Sequence, residues 1–122
     1  YGQTDQKTIY NYLHSASFLM QTSIFEVYPT VVLESFYFGT PVISTEYWGV
    51  DEIIKDEING IILKDDFFSS EVESQKLIKL FSDEEKYHEL SNNCRKQFKE
   101  QNKTYQTISI FYSCLYEKVL LQ

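Results

Sequence analysis

The order of apolar and polar residues predicts helices alternating with strands over the first half of the chain. Apolar residues recur at helical spacing between residues 5 and 15, with Thr4 or Asp5 as the N-cap. The segment from Thr30 to Phe38 is apolar on nearly every face until Gly39, which predicts a buried helix. Residues 49–55 predict a shorter helix opened by a glycine. Short apolar runs predict three strands, at residues 17–22, 41–45 and 61–63.

The run at residues 41–45 shows no clean alternation, as expected of a strand that helices cover on both faces. The predicted fold class is therefore α/β, with a Rossmann-like parallel sheet and flanking helices. Three strands make a small open sheet. Either a further strand lies at Tyr1 or before it, or the chain is part of a larger domain.

After residue 66 the pattern is helical only, so we expect a helical C-terminal tail on one domain that spans residues 1–122. A capped helix start is predicted at residues 82–85. Three apolar stripes follow one another: Leu77, Ile78 and Phe81; then Tyr87, Leu90, Cys94 and Phe98; then Ile108, Phe111, Leu115 and Val119.

Composition and charge exclude several classes of partner. The net charge is −7 and the eleven basic residues are scattered, so nucleic acid is not an expected partner. No apolar run approaches the roughly twenty residues that cross a bilayer, and the first residues show no basic-then-apolar pattern, so we expect neither a membrane-spanning nor a secreted protein. Cys94 and Cys114 lack metal or redox spacing and fit small core positions in a reducing cytoplasm. Peripheral association of the whole protein with a membrane stays open.

Two glutamates stand out around the start of the apolar helix. Glu34 lies among large hydrophobic side chains, and burying a charge costs several kcal/mol without a partner. It is either a structural carboxylate, bonded to backbone or to a tyrosine, or a ligand for a hydroxyl group. Glu26 precedes the same helix, in a connection where open α/β sheets place their ligand crevice. Free amides at residues 30–33, with the helix dipole behind them, suit a phosphate.

These residues form part of an ordered series of motifs. Ser23 is followed by Glu26-Val27-Tyr28-Pro29, then by Leu33-Glu34-Ser35, Gly39 and Pro41-Val42-Ile43. Gly49-Val50-Asp51-Glu52 and Asn59-Gly60 continue it. The series resembles the E-x₇-E motif region of family 4 glycosyltransferases, and the resemblance covers nearly the whole chain.

The resemblance implies a GT-B fold of two Rossmann-like domains, of which this chain matches the later part of the C-terminal, donor-binding domain. The N-terminal acceptor domain would lie outside these residues. Glu26 matches the catalytic-site glutamate that faces the donor sugar, and Glu34 matches the one that binds the ribose. In the family, the backbone that follows the first glutamate lies near the sugar and the phosphates. The positions that match it here are Tyr28, Pro29, Thr30, Val31 and Val32.

The implied reaction is retaining transfer of a sugar, of hexose type, from a nucleotide-diphosphate sugar to a glycan, lipid or polysaccharide acceptor. No metal or other cofactor is expected, and the location would be the cytoplasm or the inner face of the membrane. These 122 residues alone are expected to be inactive, because the acceptor domain and the basic clamp for the diphosphate lie elsewhere. The competing hypotheses are a non-catalytic nucleotide-sugar-binding or interaction module and another Rossmann-like nucleotide-binding protein.

Three further positions bear on the site. Val27 stands where the family has a small residue, commonly glycine, that can adopt a positive φ. Trp48 follows the second predicted strand, where it either stacks on a base or sugar or packs in the core or against another domain. His14 and His88 have no second ligand or nucleophile nearby, so both are expected at the surface or at a helix end.

Overall fold

The computed structural model describes residues 4–63 and 70–120, with side chains for residues 4–63 and 71–103. The elements follow in the order α1 (Gln6–Ser15), β1 (Leu19–Gln21), α2 (Thr30–Phe38), β2 (Val42–Thr45), α3 (Val50–Ile53), β3 (Gly60–Leu63), α4 (Ser70–Phe81) and α5 (Glu84–Leu120). Strands and helices therefore alternate up to β3, and helices alone follow. The predicted α/β fold class with a helical tail is confirmed.

The described strands form one parallel sheet in the order β1-β2-β3. Ile43 of β2 lies between Met20 of β1 and Ile61 of β3 in the register. The expected strand at Tyr1 falls outside the described residues.

β2 is buried because its successive side chains enter two different cores. Val42 packs with Val32 and Phe36 of α2, whereas Ile43 packs with Leu80 of α4 and Leu90 of α5. Successive side chains of a strand point to opposite faces, so each face of the sheet carries its own hydrophobic layer. This explains why β2 lacks an alternating pattern, as predicted.

Local signals set the ends of α1 and α2. The Oδ1 of Asp5 accepts a hydrogen bond from the Thr8 N–H at 3.0 Å, which makes Asp5 the N-cap of α1. Hydrogen bonds from Thr8, first from its hydroxyl, lower the pKa of Asp5. Gly39 ends α2 in the left-handed conformation, with φ of 77°. Arg95 of α5 donates to the Phe38 carbonyl at 3.1 Å and so ties this helix end to the tail.

Asn59, predicted only as a turn residue, is fully buried. It directly precedes β3, and its hydrogen bonds connect this turn with α5. Its Oδ1 accepts from the Lys55 N–H at 2.8 Å, and its Nδ2 donates to the Ile53 carbonyl and to Gln97. The Cys94 thiol donates to the Asn59 carbonyl at 3.1 Å. Burial raises the pKa of Cys94 to about 12, consistent with the predicted small core residue.

The prediction that Leu77, Ile78 and Phe81 form the core-facing stripe of α4 is wrong. Leu80 enters the core and Leu77 packs against it, whereas Ile78 and Phe81 are more than half exposed. The face that meets Ile43 and Ile61 is therefore the one that carries Leu80. α2 differs as well, because Val32 and Phe36 are buried while Tyr37 is exposed, so this helix is buried on one side only.

The second and third predicted stripes lie on one continuous helix, α5, which contains no glycine or proline. Asp83 caps its start, where its Oδ1 accepts from the Lys86 N–H at 2.8 Å, as predicted. Leu90 and Cys94 are buried, also as predicted. The third stripe, Cys114 and residues 64–69 lie outside the described side chains. No helix in the described ranges is both long enough and apolar enough to cross a membrane.

Candidate functional site

The candidate site lies where β1 and β2 end at the same edge of the sheet. The two loops that follow these strands, residues 22–29 and 46–49, are called the edge loops below. The hydroxyl of Thr45, the last residue of β2, donates to the Ser23 carbonyl at 2.7 Å. This hydrogen bond holds the first edge loop against the end of β2. The carboxyl edge of a parallel sheet is the usual ligand position in open α/β folds.

Glu26 is half-buried in the first edge loop. The Ser23 hydroxyl donates to its Oε1 at 3.3 Å. Its carboxylate also acts on Tyr47 of the second edge loop: burial raises the pKa of the Tyr47 phenol, and the negative charge of Glu26 raises it further. The structure therefore brings the predicted Glu26 close to a tyrosine that the sequence analysis did not select.

Two buried polar atoms at this edge have no hydrogen-bond partner among the residues that the structure describes. They are the Tyr47 hydroxyl oxygen and the Oε1 of Gln21, the last residue of β1. An unpartnered polar atom away from water is costly, so a group that supplied a partner would bind favourably here. The signal for Gln21 was available in the sequence, because it is a polar residue at the carboxyl end of an apolar strand. Tyr47 lies two residues after Thr45, the end of β2, so its position next to a strand end was also visible in the sequence.

The start of α2 exposes fewer amides than predicted. Pro29 occupies the N-cap position and has no N–H, and no side chain caps the helix. The Val32 N–H donates to the Pro29 carbonyl at 3.1 Å, and the Val32 side chain is in the core. This leaves the amides of Thr30 and Val31 without an acceptor among the described residues. At the expected anion site of residues 30–33, the Val32 amide is thus occupied, whereas the amides of Thr30 and Val31 remain open.

Glu34 lies one turn inside α2, at a cavity of about 350 Å³. The carboxylate is half-buried and makes no hydrogen bond or ion pair with the residues that the structure describes. The interpretation of Glu34 as a structural carboxylate bonded to backbone or tyrosine therefore lacks support. The other residues that line this cavity are Tyr10, Thr30, Leu33, Tyr37, Phe38 and Phe98.

Thr30 connects the two glutamates. Its amide is at the start of α2, four residues after Glu26, and its side chain lines the cavity of Glu34. The helix start thus lies between the two carboxylates along the chain. Tyr28 is exposed and Pro29 is buried in the connection before the helix. Such an arrangement offers hydrogen-bond donors for an anion and acceptors for hydroxyl groups on either side.

Val27 and Trp48 differ from expectation. Val27 has no positive φ, since Glu57 is the one non-glycine residue with a positive φ in the described ranges. A valine can therefore replace the usual glycine without backbone strain. Trp48 is 87% exposed, so the alternative that it packs in the core of this chain is wrong. His14 and His88 are exposed on helices, as predicted.

A cavity larger than that of Glu34 lies elsewhere. It has a volume of about 590 Å³ and is lined by Phe18, Phe81 and Tyr87, next to the turn between α4 and α5. None of the residues expected at the functional site lines this cavity. Within the described residues, no group of three or more His, Cys, Asp or Glu is placed to hold a metal ion.

Comparison with known families gives a match over most of the chain. A sequence model of the family described as glycosyl transferases group 1 matches residues 1–97. These residues contain the whole parallel sheet, α2 and both glutamates; the last part of α5 lies beyond the match. No curated protein sequence matches the chain. The family acts on a sugar donor and an acceptor, which agrees with the expected class of activity. The chain belongs to the group 1 glycosyl transferases.

Proposed function

We propose that this chain is the donor-binding part of a retaining glycosyltransferase that uses a nucleotide-diphosphate sugar. The observation that carries the proposal is the uncapped start of α2, with Glu26 before it and Glu34 one turn inside it. Two amides without acceptors suit a phosphate oxygen, and the helix dipole adds to the attraction. Two carboxylates with free oxygens suit the hydroxyl groups of ribose and sugar.

Glu34 binds the ribose in this proposal. Its carboxylate lies in a cavity with Tyr37, Phe38 and Phe98, whose apolar surfaces suit a nucleoside. A half-buried carboxylate without a protein partner gains most from a ligand that supplies two hydroxyl groups. Thr30 lines the same cavity, so the diphosphate would extend from the ribose toward the amides of Thr30 and Val31.

Glu26 acts on the donor sugar. A retaining transfer passes through a transition state with positive charge at the anomeric carbon, which a nearby carboxylate stabilises. Burial strengthens this interaction because less water screens the charge. The half-buried position of Glu26, close enough to Tyr47 to raise its pKa, supports the assignment. Tyr28 and Pro29, directly after Glu26, would border the sugar.

The remaining parts of the proposal concern the whole protein. These residues would form the later part of a C-terminal domain of a GT-B fold, with an N-terminal domain that holds a glycan or lipid-linked acceptor. Transfer would proceed without a metal ion, and the enzyme would work in the cytoplasm or at the inner face of the membrane. No lysine or arginine is among the described residues that line the cavity of Glu34, so the positive partners of the diphosphate would come from outside this cavity.

Nucleotide binding and sugar transfer test these roles separately. Titration of the whole protein with UDP, GDP and ADP in a calorimeter should show binding of one of them. Glu34→Ala should weaken that binding by at least about tenfold, the equivalent of one charge-assisted hydrogen bond. Glu26→Ala should leave nucleotide affinity unchanged and lower the transfer rate by about a hundredfold or more. Glu46→Ala, at an exposed carboxylate of the second edge loop, is the matched control.

The absence of any nucleotide binding would overturn the proposal. The absence of basic residues around Glu34 favours one alternative, a module that binds nucleotide sugars without catalysis. Normal nucleotide affinity without detectable transfer by the whole protein would support that alternative. Opposite effects of the two substitutions would mean that the roles of the two glutamates are exchanged.

A further inference from the structure

The Tyr47 side chain has its ring in the core, but the core gives its hydroxyl no partner. The side chain is 8% exposed and belongs to the hydrophobic cluster that includes Val32 and Phe36 of α2. The hydroxyl oxygen is buried and has no hydrogen-bond partner among the residues that the structure describes. A buried hydroxyl without a partner is destabilising, and a phenylalanine would pack without this cost. Packing therefore accounts for the ring of Tyr47 and leaves the hydroxyl unexplained.

The Glu26 carboxylate has the complementary deficit. In the described part of the chain it accepts one hydrogen bond, from the Ser23 hydroxyl to Oε1. The O···O distance of 3.3 Å is long, because such bonds are usually about 2.7–2.8 Å. Its other oxygen, Oε2, accepts no hydrogen bond from the described residues. One long bond restrains a side chain with several rotatable torsions weakly, so Glu26 needs a second donor to be held in one orientation.

Ser23 brings Glu26 and Tyr47 to the same part of the carboxyl edge. Its hydroxyl donates to Glu26, and its carbonyl accepts from the hydroxyl of Thr45 at 2.7 Å. Glu26 is thereby tied to the end of β2, from which Tyr47 is two residues away. Burial raises the pKa of the Tyr47 phenol and the Glu26 charge raises it further, as expected of a carboxylate close to the hydroxyl.

The chemistry of the two groups favours a hydrogen bond between them. A phenol has one proton to donate, and an ionised carboxylate only accepts. A hydrogen bond to an ionised acceptor is roughly twice as strong as one between neutral groups. The Gln21 amide oxygen, also buried at this edge without a partner among the described residues, is neutral and therefore the weaker acceptor. A carboxylate accepts about four hydrogen bonds, so donation by Ser23 and Tyr47 leaves room for the hydroxyls of a sugar.

We propose that Tyr47 is a positioning residue for Glu26: when the donor is bound, its hydroxyl donates to Oε2 and holds the carboxylate toward the anomeric carbon. This inference rests on the proposed function, since it takes Glu26 as the carboxylate that stabilises the transition state. A group that is already oriented stabilises a transition state more than a mobile one, because it does not reorganise during the reaction. The ring of Tyr47, packed in the core, provides the rigid support.

Tyr47→Phe tests the role, because it removes the hydroxyl and keeps the ring. The whole protein is assayed for release of the nucleotide from UDP-, GDP- or ADP-glucose, according to which nucleotide it binds. Water replaces the acceptor in this release, so the acceptor need not be known. Tyr47→Phe should lower kcat by about tenfold, while KM and the nucleotide Kd stay within about twofold of the parent. Tyr12→Phe, at an exposed tyrosine of α1, is the matched control and should change none of them.

Two further measurements separate positioning from a structural role. Tyr47→Phe should not lower the midpoint of thermal unfolding, because the hydroxyl that it removes satisfies no described group. Combined with Glu26→Gln, it should cause no further loss of kcat, since Tyr47 acts through that carboxylate. A lowered midpoint, or losses that multiply in the double variant, would mean that Tyr47 supports the fold and not the carboxylate.

NMR of protein labelled at the tyrosine Cζ detects the hydrogen bond independently of activity. The Tyr47 resonance is assigned as the one that Tyr47→Phe removes, and spectra are recorded with the same glucose donor at saturation. The resonance should shift in Glu26→Gln and stay in place in Gln21→Met. A shift in Gln21→Met alone would show that the hydroxyl bonds to Gln21, which overturns the inference.

The outcomes distinguish this inference from the proposed function. Nucleotide binding with an impaired Glu26→Gln and an unimpaired Tyr47→Phe would defeat the inference alone. The absence of nucleotide binding would defeat the proposed function. In that case, a Tyr47 resonance that still responds to Glu26→Gln would leave the hydrogen bond as a purely structural contact between the edge loops.

Discussion

Two regions differ in how their polar and apolar groups are placed: the turn at Asn59, which precedes β3, and the two edge loops. At the turn, Asn59 is fully buried, and both its side-chain groups and its carbonyl are hydrogen-bonded. In the edge loops, the buried Tyr47 hydroxyl has no hydrogen-bond partner in the described part of the chain, and apolar side chains such as Trp48 face water. The turn satisfies its own groups and contributes stability. The edge loops leave groups unsatisfied, and these are the groups that a ligand can satisfy.

The difference teaches how one fold separates stability from binding. The Asn59 turn joins α3, β3 and α5, so its hydrogen bonds hold elements that are distant in sequence. The edge loops are joined to the sheet by the Thr45–Ser23 hydrogen bond and carry the candidate carboxylate Glu26. Substitutions at the turn should therefore change the free energy of unfolding, and substitutions in the edge loops should change it little.

The largest effect is expected for Asn59→Ala. The substitution removes the acceptor of the Lys55 N–H and the donor to the Gln97 side-chain oxygen, leaves the Ile53 carbonyl with its hydrogen bond from Gln97 alone, and also creates a small cavity. We expect a loss of about 3–5 kcal/mol in the free energy of unfolding, measured by urea denaturation. Asn92→Ala, at an exposed position on α5, is the control and should change it by less than about 0.5 kcal/mol. Equal effects at both positions would remove the distinction between the two regions.

Gly60→Ala tests the close approach of β3 to β2. A Cβ at this position would lie 2.4 Å from the backbone oxygen of Val42, which cannot move without displacing the strand. We expect a loss of about 2 kcal/mol, measured by thermal unfolding. Gly49→Ala, in the second edge loop, meets no atom within 4 Å but has a positive φ. It should cost about 1 kcal/mol, from backbone strain alone. A larger loss at Gly49 than at Gly60 would contradict this order.

The Cys94 thiol predicts a fall in stability at alkaline pH. Burial raises its pKa from 9.0 to about 12, so the unfolded chain loses the thiol proton at lower pH than the folded chain. The stabilisation is complete below about pH 8 and decreases as pH rises toward 12. We compare the free energy of unfolding of wild type with that of Cys94→Ala. Between neutral pH and about pH 10, this difference should shift by about 1 kcal/mol against wild type. Urea denaturation of both proteins across this pH range measures it, and a constant difference would disprove it.

The smallest effect on stability is expected for Glu26→Gln. The carboxylate is half-buried and accepts one hydrogen bond from Ser23 in the described part of the chain. The substitution should change the free energy of unfolding by less than about 0.5 kcal/mol. It should also lower the pKa of Tyr47, because it removes one of the two causes that raise it. Absorbance titration of the tyrosines, compared with a Tyr47→Phe variant, tests this; an unchanged pKa would show that the two groups do not interact.

Much of the fold could be predicted because its signals are local. The bounds of α2 follow from Pro29 and Gly39, and the cap of α1 follows from Asp5. The burial of β2 on both faces follows from an apolar run without alternation. The orientation of α4 could not be predicted in the same way, because Leu77, Ile78, Leu80 and Phe81 are all apolar. Which of them is buried depends on where Ile43 and Ile61 lie.

The candidate site shows the same limit. The sequence selected Glu26 and Glu34 through their spacing around a helix start. It missed Tyr47 and Gln21, whose significance comes from burial without a partner. It also left open whether Glu34 bonds to the protein or to a ligand, and only the structure shows that no described residue bonds its carboxylate. Burial and hydrogen bonding at these positions depend on elements that are far apart in the chain.

The sequence by itself determined the alternation of elements, the parallel sheet and the placement of two carboxylates around one helix start. Each of these follows from residue patterns within short segments of the chain. Only the tertiary structure decided that Asn59 is buried between elements, that Glu34 bonds to none of the described residues and that Trp48 faces solvent. The physical reason is that exposure and hydrogen-bond satisfaction depend on atoms supplied by other elements. Residue type and spacing do not specify those atoms.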